Sequence, residues 1–231
     1  MNLSIEEIFD KISSTSVTKK PFDHLVIDGL LPDVFYKDLA KELSDQNFHD
    51  NYIRAPYGNI ERYGVDITDY KFWKDSGKSI KTTIQQNTKK ALIAQNSLNI
   101  LNFTNLLIDN QREFYSLICS KLSTERIQNN YFFHVNMTKD SVGYEIGKHH
   151  DDMSNIFTIL FYVPETDVNK DCFGINLCQE KIQFLPNRMI IFAPSMPKDP
   201  RPTTWHEVKK LPSSMIGTRN SFQMFFYRNS I

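Results

Sequence analysis

The chain has 231 residues, and its 27 basic and 27 acidic side chains cancel, which excludes a strong long-range field toward nucleic acid or an anionic membrane. With 40% hydrophobic and 13% aromatic residues it is neither disordered nor low in complexity, and a chain of this length buries roughly 70–75% of the surface it would expose unfolded. Its apolar runs fall short of the roughly 20 residues that span a bilayer.

Ser4-Ile5-Glu6-Glu7 has the form of a helix capping box and predicts a short amphipathic helix through about Ile12. The opening residues have neither the basic start nor the apolar run of a secretion signal, so a cytoplasmic location is expected. Residues 21–27 alternate as a strand does. Pro32 suits the first turn of a helix with Val34, Phe35, Leu39 and Leu43 on one stripe. Residues 47–69 are polar, aromatic and glycine-punctuated without a period, and read as a long loop or irregular hairpin of the kind that carries function. From about Phe72 to Leu122 the pattern is helical, best from Phe103 onward, with Leu106, Leu107, Phe114, Leu117, Ile118 and Leu122 at helical intervals.

From Asn130 the texture changes. Short β-rich runs occupy 131–137, 144–149, 157–163, 173–178, 182–185, 189–193, 207–211 and 221–227, separated by turn residues. Such spacing suggests a sandwich or barrel, and among these the double-sheet jelly roll, shared with cupins, encloses a pocket. The expectation is one α+β domain over 1–231. Its first part, 1–125, is a mainly helical support with an initial strand and the loop at 47–69; its second, 126–231, is the β core. Cys119, Cys172 and Cys178 lack CxxC spacing and read as free thiols, with a Cys172–Cys178 bridge as the lesser alternative.

The chemistry concentrates in His149-His150-Asp151-Asp152, His206 and Arg219. Alternate residues on a strand share a face, so His149 and Asp151 can meet one interior point; His150 with Asp152 is a second register on the opposite face, and the first is preferred. His206 follows an apolar strand and a proline-rich loop, 194–204. Two imidazoles and one carboxylate leave coordination positions open, the facial arrangement of non-haem Fe(II) oxygenases. Arg219 opens the last strand, and its planar, permanently charged guanidinium suits the far carboxylate of a dicarboxylate held on the metal. Ser221, two residues on, can add a hydroxyl bond, and Tyr162 can donate to the same carboxylate or serve only as core. His134 reads as a hydrogen-bonded core residue or a pocket residue; His24 and His49 read as structural or exposed.

Tyr144-x-x-Gly147-x-His149-x-Asp151, then Thr158–Tyr162, then Phe173-Gly174-Ile175-Asn176-Leu177, His206 and Arg219-x-Ser221 follow the order of the Fe(II)/2-oxoglutarate-dependent dioxygenases, and the chain resembles their prolyl-hydroxylase-like branch. The opening Pro21-Phe22-Asp23-His24 is similar to the start of many members. The resemblance implies a double-stranded β-helix, with His149, Asp151 and His206 on Fe(II) and with Arg219, Tyr162 and Ser221 on 2-oxoglutarate. It implies O2 as second co-substrate, ascorbate as an optional addition, release of succinate and CO2, and hydroxylation of a peptidyl (prolyl-type) or small-molecule substrate. Asp151 as a ligand favours hydroxylation over halogenation, since a halide needs the position the carboxylate occupies. Two departures bear on substrate: Asp171-Cys172-Phe173-Gly174 keeps one glycine where many members have two, and the 194–204 loop is long. The competing class is a non-catalytic cupin-like module that binds a metal or ligand.

Overall fold

The structure, a computed structural model, describes residues 3–46, 62–68, 83–123, 131–152, 154–164, 174–194, 204–214 and 217–228. The elements in chain order are α1 (Ile5–Ser14), β1 (His24–Asp28), α2 (Asp33–Asp45), β2 (Arg62–Asp66), α3 (Gln86–Ala94), α4 (Leu98–Asp109), α5 (Gln111–Lys121), β3 (Tyr131–Asp140), β4 (Ile146–His149), β5 (Asn155–Tyr162), β6 (Ile175–Leu177), β7 (Glu180–Ile182), β8 (Arg188–Phe192), β9 (His206–Val208) and β10 (Arg219–Arg228). None of the described helices is long and apolar enough to cross a membrane.

Local chemistry explains most boundaries. Ser4 caps α1 by accepting the Glu6 backbone N–H (3.2 Å), and its hydroxyl donates to the Glu6 carboxylate, so the cap closes on Glu6 and not on Glu7. Pro32 stands just outside α2 as its N-cap, and Val34, expected on the apolar stripe, is 58% exposed while Phe35, Tyr36, Leu39 and Leu43 are buried. The helical run from Phe103 to Leu122 is broken at Asn110 into α4 and α5. The Asn110 side chain donates to the Leu106 carbonyl (2.8 Å), a local bond that competes with helix continuation. The strand boundaries shift from expectation by a few residues; β7 ends at Ile182, where the expected 182–185 run begins, and β9 begins at His206 itself.

Six strands form one antiparallel sheet in the order β1-β8-β5-β10-β3-β2, and four form a second, β4-β9-β6-β7. The architecture is thus mixed helix and antiparallel sheet. Both edges of the larger sheet come from the first half of the chain. One of them, β2, lies inside the 47–69 stretch expected as a loop, and its pocket-facing residues explain why it had no strand signature. Arg62 and Asp66 are polar and Gly64 bears no side chain, so no apolar alternation marks it. The rest of that stretch, 47–61 and 69, lies outside the described residues, as do Cys172, His49 and 195–203 of the proline-rich loop.

The period of two along each strand gives the large sheet two different faces. Leu25, Ile27, Val135, Met137, Ile159, Phe161, Ile191, Phe222, Met224 and Phe226 point one way and join residues of all five helices in one buried cluster. The opposite face contributes Leu160, Tyr162, Ile190 and Phe192 to a second cluster with Ile175, Leu177, Ile182 and Val208 of the small sheet. Gly174 stands where β6 begins, and a Cβ there would meet the Ile182 carbonyl oxygen at 1.8 Å, so this glycine serves the close approach of β6 and β7.

Phe103 of α4 packs its ring against Phe161 (5.3 Å) and Phe222 (5.2 Å), joining helix to sheet. Phe103→Ala is expected to lower unfolding free energy by about 3–5 kcal/mol in denaturant titration. Val34→Ala, at a solvent-facing position, should change it by less than about 0.5 kcal/mol.

Candidate metal and anion site

The two sheets enclose a cavity of about 560 Å³ whose wall includes His149, Asp151, His206, Arg219, Arg62 and Tyr144. His149 ends β4 and is paired directly opposite His206 of β9, so the register of the small sheet alone brings the two imidazoles together, with ring centroids 4.2 Å apart. His149 Nδ1 lies 2.8 Å from the Gly147 carbonyl and His206 Nδ1 lies 3.3 Å from the Thr204 carbonyl. A carbonyl only accepts, so each Nδ1 carries the proton, and in the neutral ring the lone pair is then on Nε2.

Asp151 lies just past the end of β4. Asp152 turns the chain there, its Oδ1 accepting from the Ser154 backbone N–H (2.8 Å) and hydroxyl (2.7 Å), while its carbonyl accepts from Asn155 N–H (2.8 Å). This Asx turn starts β5 and leaves Asp151 inside. Asp151 Oδ2 accepts from Asn155 Nδ2 (3.0 Å) and from the Thr158 hydroxyl. Its Oδ1 faces His206 Nε2 at 3.5 Å and His149 Nε2 at 3.9 Å. One ligand atom from each of His149, Asp151 and His206 thus lies within 4.8 Å of the other two. Burial works to raise the Asp151 carboxyl, but His206, Thr158 and His149 outweigh it and hold it below its usual range. Burial, then His206, lower the His149 imidazole. An ionised carboxylate and two imidazoles offering Nε2 are a donor set that fits a divalent first-row ion with open positions. His150 and Asp152, the alternative register, are exposed.

Arg219 opens β10 and is 1% exposed. Its Nη1 is 3.5 Å from Asp140 Oδ2, yet neither Nε nor Nη1 has a hydrogen-bond partner among the described residues. Its guanidinium lies 5.5 Å from the centre of the Tyr162 ring, whose buried hydroxyl is also unpartnered. Burial raises the Tyr162 phenol against the pull of Arg219. The Ser221 hydroxyl, on the same face of β10, is bonded to the Thr138 hydroxyl (2.9 Å). A buried cation with idle donors beside idle phenols is a place for an anion.

Neither a protein-family model nor a curated protein matches this chain. Solved structures do. A Pseudomonas putida prolyl-4-hydroxylase superposes with a TM-score of 0.50 at 14% identity, covering 97% of this chain and 99% of that one. The viral collagen prolyl hydroxylase of Paramecium Bursaria Chlorella virus-1, in complex with 2OG, gives 0.51 at 15% identity over 89% and 96%. HygX from Streptomyces hygroscopicus, with nickel and 2-oxoglutarate bound, gives 0.50 at 8% identity over 98% and 87%. The chain shares the fold of the prolyl-4-hydroxylases.

Within that shared fold several cavity residues carried no signal in the sequence. Arg62 and Asp66 of β2 and Gln223 of β10 line the cavity and meet only through strand register, which also brings Asp140 of β3 against Arg62. Tyr144 has its phenol pushed up to about 12, first by burial. His134 lines the cavity and is also hydrogen-bonded, through Thr68 (2.9 Å), with its ring stacked on Phe225 (5.9 Å). His24 is buried against the Phe22 carbonyl (2.9 Å).

Burial lowers the His134 imidazole from 6.5 to about 3, so it stays neutral in the fold. The unfolded chain takes up a proton as pH falls through 6.5 and the folded chain does not, so stability is present above that pH and is lost below it. Between pH 7 and pH 5 this group should cost about 2 kcal/mol. His134→Gln should shrink the difference between denaturation curves at the two pH values by about that amount.

Proposed function

We propose that the chain is an Fe(II)- and 2-oxoglutarate-dependent dioxygenase that hydroxylates a C–H bond, built as one domain around a double-stranded β-helix. The observation that carries this reading is the pairing in one cavity of two chemistries. One is a His149–Asp151–His206 cluster with both Nδ1 atoms tied back; the other is the buried Arg219 with unpaired donors. Either alone has a bland explanation. Together they match what a metal-chelating keto acid with a second carboxylate requires, and the fold is one in which solved structures hold 2-oxoglutarate.

In this reading His149, Asp151 and His206 hold the ion, and Arg219, Tyr162 and Ser221 hold the distal carboxylate of 2-oxoglutarate. When bound there, ferrous iron and 2-oxoglutarate supply O2 activation coupled to oxidative decarboxylation, giving succinate, CO2 and a hydroxylated product. The chain's own residues do the positioning. Thr158 and Asn155 fix Asp151 Oδ2, so that Oδ1 is presented to the ion. The Gly147 and Thr204 carbonyls fix the imidazole tautomers. Arg219 and Tyr162 give the co-substrate one orientation, and Phe184, 5.6 Å from the Arg219 guanidinium, helps keep water from that end. The fold's likeness to prolyl hydroxylases supports a peptidyl prolyl-type or small-molecule substrate. A neutral chain gives no support to nucleic acid.

The test is succinate formation matched to O2 consumption and stimulated by substrate. Both should vanish in Asp151→Ala; binding of metal and 2-oxoglutarate without any succinate would leave the non-catalytic module instead. In Mn(II) titrations, His149→Ala should abolish tight binding while His150→Ala leaves it within a few-fold, and Thr158→Val should weaken it by roughly 10–100-fold. Equal loss from His149→Ala and His150→Ala would refute the ligand assignment.

A further inference from the structure

Strand register places Arg219 of β10, Asp140 of β3 and Arg62 of β2 directly opposite one another in one row across the large sheet. The row holds two guanidiniums and one carboxylate, all buried: Arg219 at 1%, Asp140 at 0% and Arg62 at 8% exposure. The sharing is unequal. Arg62 grips Asp140 with two bonds, Nε to Oδ1 at 2.6 Å and Nη2 to Oδ2 at 3.0 Å, whereas Arg219 Nη1 stands 3.5 Å from Oδ2. Arg62 is braced from its other sides by the Tyr144 ring, 4.4 Å away, and by the Gln223 side chain at 3.3 Å. Burial opposes charge on Arg62, but Asp140 more than offsets it and its pKa is raised.

A carboxylate between two guanidiniums satisfies whichever holds it in the better fork geometry. Were Arg62 absent, Asp140 would be the natural partner of Arg219, and that pair would be neutral and closed. With Arg62 present, the row keeps one net positive charge, and that charge sits on Arg219, whose Nε and Nη1, like the neighbouring Tyr144 and Tyr162 hydroxyls, have no hydrogen-bond partner among the described residues.

We propose that Arg62 is a positioning residue for the anion subsite: by occupying Asp140 bidentately it keeps Asp140 from closing on Arg219, and so leaves Arg219 open to the distal carboxylate of 2-oxoglutarate. This rests on the function proposed above. Arg62 acts through Asp140, not by touching the co-substrate, and that gives it a distinctive genetic signature. Loss of Arg62 harms binding only while Asp140 retains its charge.

The experiment measures 2-oxoglutarate affinity calorimetrically on the full chain loaded with Mn(II), together with Mn(II) affinity itself. Arg62→Met should weaken 2-oxoglutarate by on the order of 10- to 100-fold, the scale of a lost charge-assisted interaction, with Mn(II) affinity within a few-fold of the parent. Arg62→Met/Asp140→Asn should recover most of that loss, because Arg219 is again without an internal partner. Asp140→Asn alone should bind 2-oxoglutarate no more weakly than the parent. Unchanged 2-oxoglutarate affinity in Arg62→Met overturns the proposal. So does a double variant as weak as the single one, which would make Arg62 a direct contact or a purely structural residue. A parent protein that binds Mn(II) but not 2-oxoglutarate overturns the function reading itself, and this inference with it.

Discussion

The carboxylate of Asp151 is the tie on which the site depends, because its two oxygens belong to different sheets. Oδ2 is bound to Asn155 and Thr158 of β5 in the large sheet, and Oδ1 faces the two imidazoles presented by β4 and β9 of the small one. The small sheet by itself supplies only a cross-strand histidine pair. The Asx turn at Asp152 carries the chain directly from Asp151 into β5, so that one carboxylate reaches both sheets. Fixing one oxygen so that the other is correctly aimed is how a carboxylate becomes a defined ligand in place of a diffuse charge.

The large sheet makes this affordable through side-chain alternation. One face is mostly apolar and is covered by helices, and Phe103, Phe161, Phe222 and their neighbours form a dense core there. That face carries the stability, which frees the other to hold groups that cost stability. Buried ion pairs seldom repay their desolvation, and apolar residues of similar volume often serve the fold as well or better. The Arg62–Asp140–Arg219 row, with unpaired Arg219 donors and two unpaired phenols nearby, is therefore poorly explained as a device for folding. It is well explained as a device for holding a ligand.

What could be read from the sequence followed what strand period and local spacing encode. The β-rich second half, the first two helices, the His149/Asp151 spacing, and the distant His206 and Arg219 all leave marks within a few residues of themselves. The misses have the opposite character. β2 escaped because its inward side chains are Arg62 and Asp66, so a strand that faces a polar cavity looks like a loop. Asp140 lies beyond the expected 131–137 strand, and its meaning depends on Arg62, 78 residues away in sequence, and on Arg219 across β10. The break at Asn110 turned on a single side chain bonding back to its own helix, which periodicity does not weigh. Local pattern finds the cluster residues that sit on well-marked strands. It does not find partners that only sheet register introduces.

Charge balance connects the two ends of the cavity. Asp151 contributes one negative charge beside the two imidazoles, and the Arg62–Asp140–Arg219 row contributes one net positive charge. Before any ligand enters, those ends cancel. A divalent ion at the histidines would leave these two groups together two charges positive, in surroundings where uncompensated charge is expensive. A dicarboxylate restores neutrality while placing one negative group at each end. A monocarboxylate leaves one charge over, and a phosphate ester concentrates its charge at one end. The same arithmetic explains why a second arginine would be kept despite its burial cost. Without Arg62 the row is neutral, and the end of the cavity away from the histidines loses the positive charge that would meet a second carboxylate.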